Sequence, residues 1–225
     1  MLVDDYTKIH YLRFQFLLQE INKIYHSGNK IADIGISSFT ELLTSNFGVD
    51  NVSAIVPDED FLSNAGQPIK NINVKFYDIS KSAFLREEEK FDIIIFSETM
   101  EHIPYDDVLL LKNLKNFISK RGYLLLTVPN IASFWNRIRL LFGKNILGTK
   151  EEIIKGVYGG YGHIREYTKS EVKMYIQKSG LKIIFLTGFT GYGGSSIKGR
   201  IFRTAHKMLP STYQSQIVCL AQMEE

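Results

Sequence analysis

The stretch Phe91-Asp-Ile-Ile-Ile-Phe96, followed directly by Ser97 and Glu98, decides the fold that we predict for this chain. Its apolar residues run almost without a break, which is typical of a strand whose two faces are both covered. A helix is expected next, around residues 105–119. A buried strand that leads into a helix is the repeating unit of a parallel α/β sheet, so the flanking sequence should contain more such units.

Apolar runs of strand length lie on both sides of this stretch. They occupy residues 30–36, 52–56 and 73–77 before it, and residues 122–128, 181–187 and 215–223 after it. Apolar residues at helical spacing predict amphipathic helices at 7–26, 39–47 and 168–179. The alternation predicts a doubly wound α/β sheet, with residues 1–225 as one domain that opens with an N-terminal helix within residues 1–28.

Composition excludes several classes of protein. The 225 residues are 44% hydrophobic and 23% charged, with a net charge of +3, which are globular values that do not demand a polyanionic partner. The single cysteine, Cys219, excludes an internal disulfide and a multi-cysteine metal site, and it fits a reducing compartment. The first residues do not resemble a signal peptide, and no apolar run approaches the about 18 residues of a membrane span. We therefore expect a soluble, cytoplasmic protein without stable membrane insertion.

Polar and small residues follow the first four predicted strands where each strand ends. In a parallel sheet these ends lie along one rim, which is where open α/β sheets hold ligands. The turn after the first strand, Asp33-Ile-Gly35-Ile-Ser37, has one glycine and lacks the dinucleotide fingerprint. Carboxylates at this rim would accept hydrogen bonds from ribose hydroxyls or a base amino group, which suits a nucleoside ligand without phosphates. The candidates are Asp33, Gly35, Ser37, Asp58, Asp78 and Ser97.

Four motifs together resemble the class I S-adenosylmethionine-dependent methyltransferases: Ile31-Ala-Asp-Ile-Gly35, Tyr77-Asp-Ile79, Phe91-Asp-Ile-Ile-Ile-Phe-Ser-Glu-Thr-Met-Glu-His-Ile103, and Gly122-Tyr-Leu-Leu-Leu-Thr-Val-Pro-Asn130. The resemblance implies a seven-stranded sheet with an antiparallel last strand and S-adenosylmethionine across the first four strands. It places Asp33 and Gly35 at the methionine moiety, Asp78 and Ile79 beside the adenine, and Ser97 beside the sulfonium. The chain departs from the family at Ser37 and Phe39, where further glycines are usual, and at Pro57, which separates the expected ribose-binding acid, Asp58, from its strand.

Glu98, Glu101 and His102 are spaced i, i+3 and i+4, so a helix after the fourth strand would place them on one face. With His163 as a further ligand, they predict a site for Mg²⁺, Mn²⁺, Fe²⁺ or Zn²⁺. The segment resembles the metal-holding motif of small-RNA 2′-O-methyltransferases. However, His163-Ile-Arg-Glu-Tyr-Thr168 also resembles bacterial sugar- and polysaccharide-modifying methyltransferases, in which this histidine need not bind metal. The alternatives are general-base catalysis by His102 or His163 beside Glu101, and a purely structural role.

Residues 130–166 interrupt the alternation and form a predicted lid. Apolar residues of 131–142 share one helical face, and Gly156, Gly159, Gly160 and Gly162 punctuate the loop that follows. An insertion at the carboxyl end of a strand lies near the ligand, which favours a lid; a helix packed on the sheet edge and contact with a membrane surface are the alternatives. Tyr158, Tyr161 and Tyr167 are candidates to face the sulfonium.

Three functions remain open from the sequence. The first is O-methylation of a small or carbohydrate-type hydroxyl acceptor, with His102, His163 and Glu101 as catalytic residues. The second is metal-assisted RNA 2′-O-methylation, for which the basic residues Arg137, Arg139, Lys144 and Lys150 could contact phosphates. The third is a non-catalytic binding protein on the same fold, motivated by the glycine-poor turn.

Overall fold

A seven-stranded sheet forms the centre of the molecule in the computed structural model, which describes residues 5–64, 71–81, 90–155, 162–191 and 208–224. The strand order is β3-β2-β1-β4-β5-β7-β6. The strands are β1 (Ile31–Ile34), β2 (Val52–Val56), β3 (Asn73–Phe76), β4 (Phe91–Ser97), β5 (Ile118–Pro129), β6 (Lys182–Phe189) and β7 (Gln216–Gln222). The first five pair in parallel and β7 is antiparallel to both β5 and β6, so the predicted fold class is confirmed.

Helices flank the sheet, and two single 3₁₀ turns occur among the described residues. The helices are α1 (Asp5–Ile24), α2 (Ser38–Phe47), α3 (Glu59–Asn64), α4 (Asp107–Lys115), α5 (Phe134–Leu141), α6 (Lys150–Lys155) and α7 (Lys169–Lys178). The 3₁₀ turns are Met100–His102 and Ser211–Tyr213. The short helices α3 and α6 were not predicted, because six residues give too few turns for a recognisable apolar period.

The hydrophobic core lies on both faces of β4. Ile93 and Ile95 pack on one face with side chains of α1 and α2, while Ile94 and Phe96 pack on the other with α4 and α7. These four β4 side chains are fully buried, which confirms the prediction from the continuous apolar run. Burying each such side chain stabilises the fold by about 1.5–3 kcal/mol.

Strand β5 begins earlier than the sequence predicted. Ile118 already pairs with Phe91, and the register then shifts before Tyr123 pairs with Ile93. Arg121 has a φ of 62° within this irregularity. The polar residues 119–121 therefore belong to a distorted part of the strand, which hid its start from a search for apolar runs.

Within the described part of the chain, none of the helices has the length and apolar character needed to cross a bilayer.

Candidate active site

A cavity of about 620 Å³ opens at the carboxyl ends of the parallel strands, beside α1. A volume of this size is within the about 300–1,000 Å³ typical of small-molecule sites. Six of the seven residues predicted to bind the cofactor line it: Asp33, Gly35, Ser37, Asp78, Ile79 and Ser97. These six residues come from the ends of β1, β3 and β4, and Ile55 and Pro57 add the end of β2, as expected for the rim of a parallel sheet.

Asp33 is buried at the end of β1, and its Oδ2 accepts a hydrogen bond of 2.7 Å from the Thr40 hydroxyl. Burial raises the pKa of the Asp33 carboxyl to about 7, and the hydrogen bond and the charge of Arg13 offset only part of that effect. Asp33 therefore lies at the cavity wall with a carboxyl that changes charge near neutral pH.

The turn after β1 leaves the cavity open although it has one glycine. Gly35 has a φ of +107°, which only glycine adopts readily. Ser37 caps α2, because its side chain accepts from the Phe39 N–H and its own N–H donates to Thr40. Phe39 is buried and stacks on Phe14 of α1 with ring centroids 4.9 Å apart. The residues that replace the family's usual glycines thus serve as a cap and a core side chain.

The acids after β2 and β3 differ in position. Asp78 lines the cavity and accepts hydrogen bonds from Ser80 N–H and Oγ. Although burial opposes its ionisation, these bonds and Lys81 hold the pKa of Asp78 below its usual value. Asp58 is exposed, and its Oδ1 accepts from the Phe61 N–H at 2.7 Å, at the start of α3. Pro57 and Phe61, rather than Asp58, are part of the cavity lining.

The chain after β4 does not continue as the α-helix on which the predicted Glu-x-x-Glu-His face depended. Glu98 has a left-handed φ of 51°, and only the single 3₁₀ turn Met100–His102 follows. The Glu98 carboxylate accepts from Thr127 Oγ1 at 2.9 Å and pairs with Arg13 Nη1 at 3.2 Å. Glu98 is therefore directed toward β5 and α1, and its side chain is separate from the cluster that Glu101 forms.

Glu101, His102 and His163 form a compact group in which one ligand atom of each residue lies within 4.8 Å of the others. Both Nε2 atoms lie 3.9 Å from Glu101 Oε1, and the imidazole centroids are 4.9 Å apart. Both imidazoles line the cavity. Glu101 is only 1% exposed, and no described residue forms a hydrogen bond with either of its carboxylate oxygens. Burial, together with the charge of Glu98, raises the pKa of Glu101 well above its usual range.

Backbone hydrogen bonds hold the His163 segment against the rim. The Ile164 N–H donates to the Glu101 carbonyl at 2.9 Å, and Tyr167 bonds to both Pro129 and Ile131 at the end of β5. These bonds fix a distant part of the chain beside the 3₁₀ turn. The meeting of His163 with His102 is therefore a consequence of tertiary structure.

Helix α1 contributes cavity residues that the sequence analysis missed: His10, Arg13 and Phe14. Arg13 is buried, although it is charged, because it lies on the apolar face of α1 together with Leu17 and Ile21. Burial is the main cause, and the nearby charge of Arg13 a smaller one, of the lowering of the pKa of His10 to about 4. A cation on the apolar face of an amphipathic helix was the available signal, because such a residue is rarely buried without a functional or paired role.

Tyr167, one of the three candidates to face the sulfonium, does not line the cavity and instead packs in the core. Its side chain is buried, and its hydroxyl donates to Asp107 Oδ1 at 2.8 Å. It lines a neighbouring cavity of about 450 Å³. Tyr158 and Tyr161, with Gly156, Gly159 and Gly160, lie outside the described residues.

The predicted lid contains α5 and α6 in its described part. None of the residues of α5 is fully buried, but Phe134, Asn136 and Ile138 are partly buried. A helix packed on the sheet edge therefore stays an alternative to the lid. Closure of this segment over the cavity stays a prediction.

Comparison with known families identifies the class of protein that this fold and cavity define. A family model described as a methyltransferase domain matches residues 28–185, so the chain belongs to that family and is an S-adenosylmethionine-dependent methyltransferase. The match runs from β1 into the first half of β6 and includes the ends of β1 to β4 that form the rim. Together with the open cavity, it favours an enzyme over the non-catalytic alternative.

Solved structures show the same fold at low sequence identity. An S-adenosylmethionine-dependent methyltransferase from Mesorhizobium loti is 15% identical, with a TM-score of 0.58, over 91% of this chain and 96% of that chain. The N-methyltransferase NodS from Bradyrhizobium japonicum, in complex with S-adenosyl-L-homocysteine, is 14% identical with a TM-score of 0.57, over 99% and 91%. A methyltransferase from Haloferax volcanii, in complex with the Trm112 activator, is 9% identical with a TM-score of 0.61, over 96% and 92%. A comparison with curated proteins gave no significant match.

Proposed function

We propose that this enzyme transfers the methyl group of S-adenosylmethionine to a hydroxyl group of a small or carbohydrate-type acceptor. The observation that carries the proposal is the pair of imidazoles, His102 and His163, which line the cavity 4.9 Å apart beside the buried Glu101. A hydroxyl is a poor nucleophile near neutral pH, so its methylation needs a base at the reaction centre.

In this proposal the cofactor occupies the cavity along the rim. Its methionine end lies at Asp33, Gly35 and Ser37, and its adenine lies at Asp78 and Ile79. Ser97 then lies next to the sulfonium. Asp58 is not included, because its carboxylate caps α3 and is not part of the cavity lining.

His163 acts as the general base. Its imidazole takes the acceptor proton while the acceptor oxygen bonds to the methyl carbon; the carbon–sulfur bond breaks, and its electron pair stays on sulfur in S-adenosylhomocysteine. Glu101 and Glu166 position the ring, since their carboxylates lie 3.9 and 3.4 Å from its two nitrogens. The Glu166 carboxylate beside Nδ1 also stabilises the imidazolium that forms.

The methylated atom tests this proposal directly. The enzyme is incubated with isotope-labelled S-adenosylmethionine and with pairs of acceptors. Each pair consists of a neutral sugar and the corresponding amino sugar, supplied either as free sugars or in nucleotide-linked form. Mass spectrometry then locates the label. We expect label on an oxygen of the neutral sugar, whereas label found only on nitrogen would contradict the hydroxyl assignment.

A second function, metal-assisted 2′-O-methylation of RNA, is supported by the unpartnered carboxylate of Glu101. A carboxylate and two imidazoles suit Mn²⁺, Fe²⁺ or Zn²⁺ better than Mg²⁺, which prefers an all-oxygen shell. The residues therefore fit a cation, with Glu101, His102 and His163 as ligands; the fourth predicted ligand, Glu98, is not in the group. Such a cation would lower the pKa of an acceptor hydroxyl bound to it.

Metal stoichiometry and RNA chemistry test this second function independently. After equilibrium dialysis against Mn²⁺ or Zn²⁺, the wild type should retain about one ion per chain, and Glu101→Gln should retain fewer. The control variant Glu59→Gln, on the exposed α3, should retain as many ions as the wild type. Short RNAs that end in a ribose or a 2′-deoxyribose serve as acceptors. Absence of bound metal, or equal labelling of both RNAs, would exclude this function.

A further inference from the structure

The segment from Phe134 to Leu147, called here the α5 segment, presents an unusual apolar surface to solvent. Leu141 and Phe142 are each about three-quarters exposed, at 77% and 74%. Trp135, Leu140 and Leu147 are about half exposed. Globular proteins scatter exposed apolar side chains singly, whereas a contiguous group marks a surface that another molecule covers.

This apolar group is surrounded by positive charge. Residues 130–150 contain Arg137, Arg139, Lys144 and Lys150 and no Asp or Glu. Arg137 Nε donates to the Ala132 carbonyl and its guanidinium lies over the Tyr213 ring, while Arg139 Nη2 donates to the Asn145 carbonyl. Within the described residues neither Arg137 nor Arg139 forms an ion pair, and the nearest acids along the chain on the carboxyl side are Glu151 and Glu152 of α6.

The order of residues gives α5 two distinct sides. At 3.6 residues per turn, Leu141 shares one face with Phe134 and Ile138, which are partly buried. The exposed side chains of Trp135 and Phe142 lie at the border of this face, whereas Leu140 lies on the other side of the helix. Arg137 and Arg139 flank this face on either side. A short apolar stripe bordered by cations is the pattern of helices that lie in the interface of a bilayer.

We propose that the α5 segment docks the enzyme on the surface of an anionic lipid bilayer. Leu141, Phe142 and Trp135 enter the boundary between headgroups and acyl chains, and the guanidinium and ammonium groups lie at the lipid phosphates. A second copy of the chain is a poorer occupant, because a symmetric contact would bring equal positive charges together. A nucleic acid is poorer too, because phosphate contacts leave the leucines exposed.

The docking surface is continuous with the active-site rim. The segment starts just after Asn130, which bridges to Tyr167, and the Ile131 N–H donates to the Tyr167 carbonyl. Tyr167 ends the segment that carries His163. On the basis of the proposed function, docking would bring the catalytic imidazole to acceptors held at a bilayer, such as lipid-linked carbohydrates.

Trp135 is the only tryptophan of the chain, so its fluorescence reports on this surface directly. The experiment adds vesicles of pure phosphatidylcholine, or vesicles in which one third of the lipid is phosphatidylglycerol, to the full-length protein. We expect a blue shift, quenching by brominated lipid, and co-sedimentation with the anionic vesicles only.

Two double variants separate apolar from electrostatic binding. Leu141→Ser with Phe142→Ser should weaken vesicle binding at least about tenfold, since buried apolar area is lost. Arg139→Gln with Lys144→Gln should weaken it about tenfold and reduce its dependence on salt. The control, Val49→Ser with Lys23→Gln, removes an exposed apolar and a basic residue elsewhere and should bind as the wild type does. Unchanged affinity for S-adenosylhomocysteine shows that each variant is folded.

Three results would overturn the proposal. The first is wild-type fluorescence and sedimentation that do not respond to anionic vesicles. The second is vesicle binding that survives both double variants. The third is a dimer in sedimentation velocity that the Leu141→Ser, Phe142→Ser variant dissociates, which would assign the surface to a second copy. None of these readouts requires methyl transfer, so failure of the docking proposal and failure of the proposed reaction are distinguishable.

Discussion

Asp33 holds a proton that an exposed aspartate would release, because it lies in the wall of the cavity with little access to water. Its pKa rises from 3.8 to about 7. Between these values the folded protein binds more protons than the unfolded chain, so the free energy of unfolding falls as the pH rises. Each unit of difference between the folded and unfolded pKa changes the free energy of unfolding by about 1.4 kcal/mol over this pH range.

The substitution Asp33→Asn should remove this contribution. We expect the stability of the wild type, measured by urea unfolding from pH 4 to pH 8, to decline relative to that of Asp33→Asn as the pH rises toward about 7. Above that value the difference should be constant. Parallel profiles of the two proteins would show that Asp33 ionises normally in the folded state. Glu101, whose pKa is also raised, is present in both proteins and does not affect the comparison.

His163 gives the residue-scale prediction for catalysis. Loss of a general base typically slows a reaction by about 10²- to 10⁴-fold, so His163→Ala should reduce methyl transfer by that amount. Affinity for S-adenosylhomocysteine, measured by isothermal titration, should be nearly unchanged. The control His26→Ala removes an exposed histidine after α1 and should be fully active. A fully active His163→Ala enzyme would exclude this residue as the base.

At the scale of elements, the position of His163 depends on how closely its segment approaches α6. The Gly162 N–H donates to the Ile153 carbonyl at 2.7 Å. A Cβ at Gly162 would lie 2.5 Å from the Glu152 carbonyl oxygen, which is backbone and cannot rotate away. The segment can pass α6 at this distance only because residue 162 has no side chain.

Gly162→Ala should therefore displace the His163 segment. A misplacement of about 1 Å can lower a reaction rate about 10²-fold. We therefore expect the rate of methyl transfer to fall by up to about 10²-fold while the affinity for S-adenosylhomocysteine is retained. Gly148→Ala is the matched control, since its Cβ would lie 3.3 Å from the flexible carboxylate end of Glu152 and 3.7 Å from the Glu152 Cβ, without meeting backbone. Equal rates for the two variants would mean that the contact of Gly162 does not position the catalytic segment.

At the scale of the whole molecule, the order of the strands determines what the cavity can hold. Strands β1 and β4 are neighbours at the centre of the sheet, so their polar ends meet at one crevice, and α1 covers its side. Among the described residues that line the cavity, Arg13 is the only arginine or lysine, and it is paired with Glu98. The crevice therefore favours a nucleoside derivative without phosphates.

Ligand-dependent unfolding of the intact protein tests this selectivity. S-adenosylhomocysteine at about 100 times its dissociation constant should raise the free energy of unfolding by about 2.7 kcal/mol, with a corresponding rise in Tm. ATP and NAD at equal concentration should leave Tm unchanged, because Arg13, which is paired with Glu98, is the only lysine or arginine among the described lining residues. Stabilisation by ATP or NAD equal to that by S-adenosylhomocysteine would contradict the interpretation of the cavity.

The sequence by itself determined the sheet and its rim. Continuous apolar runs such as Ile93–Phe96 specify buried strands through local composition alone, and the polar residues at their ends, such as Asp33 and Asp78, then share one edge of a parallel sheet. These features depend on short-range patterns, so they are readable from neighbouring residues.

Only the tertiary structure decided which side chains meet. Arg13 reaches Glu98 from a helix distant in sequence, and this contact, with the left-handed backbone at Glu98, separates Glu98 from Glu101. His163 reaches His102 because backbone hydrogen bonds join its segment to the end of β5 and to the 3₁₀ turn. Spacing along a chain constrains only neighbours within a turn or two, whereas these contacts depend on packing between distant elements, which local patterns do not encode.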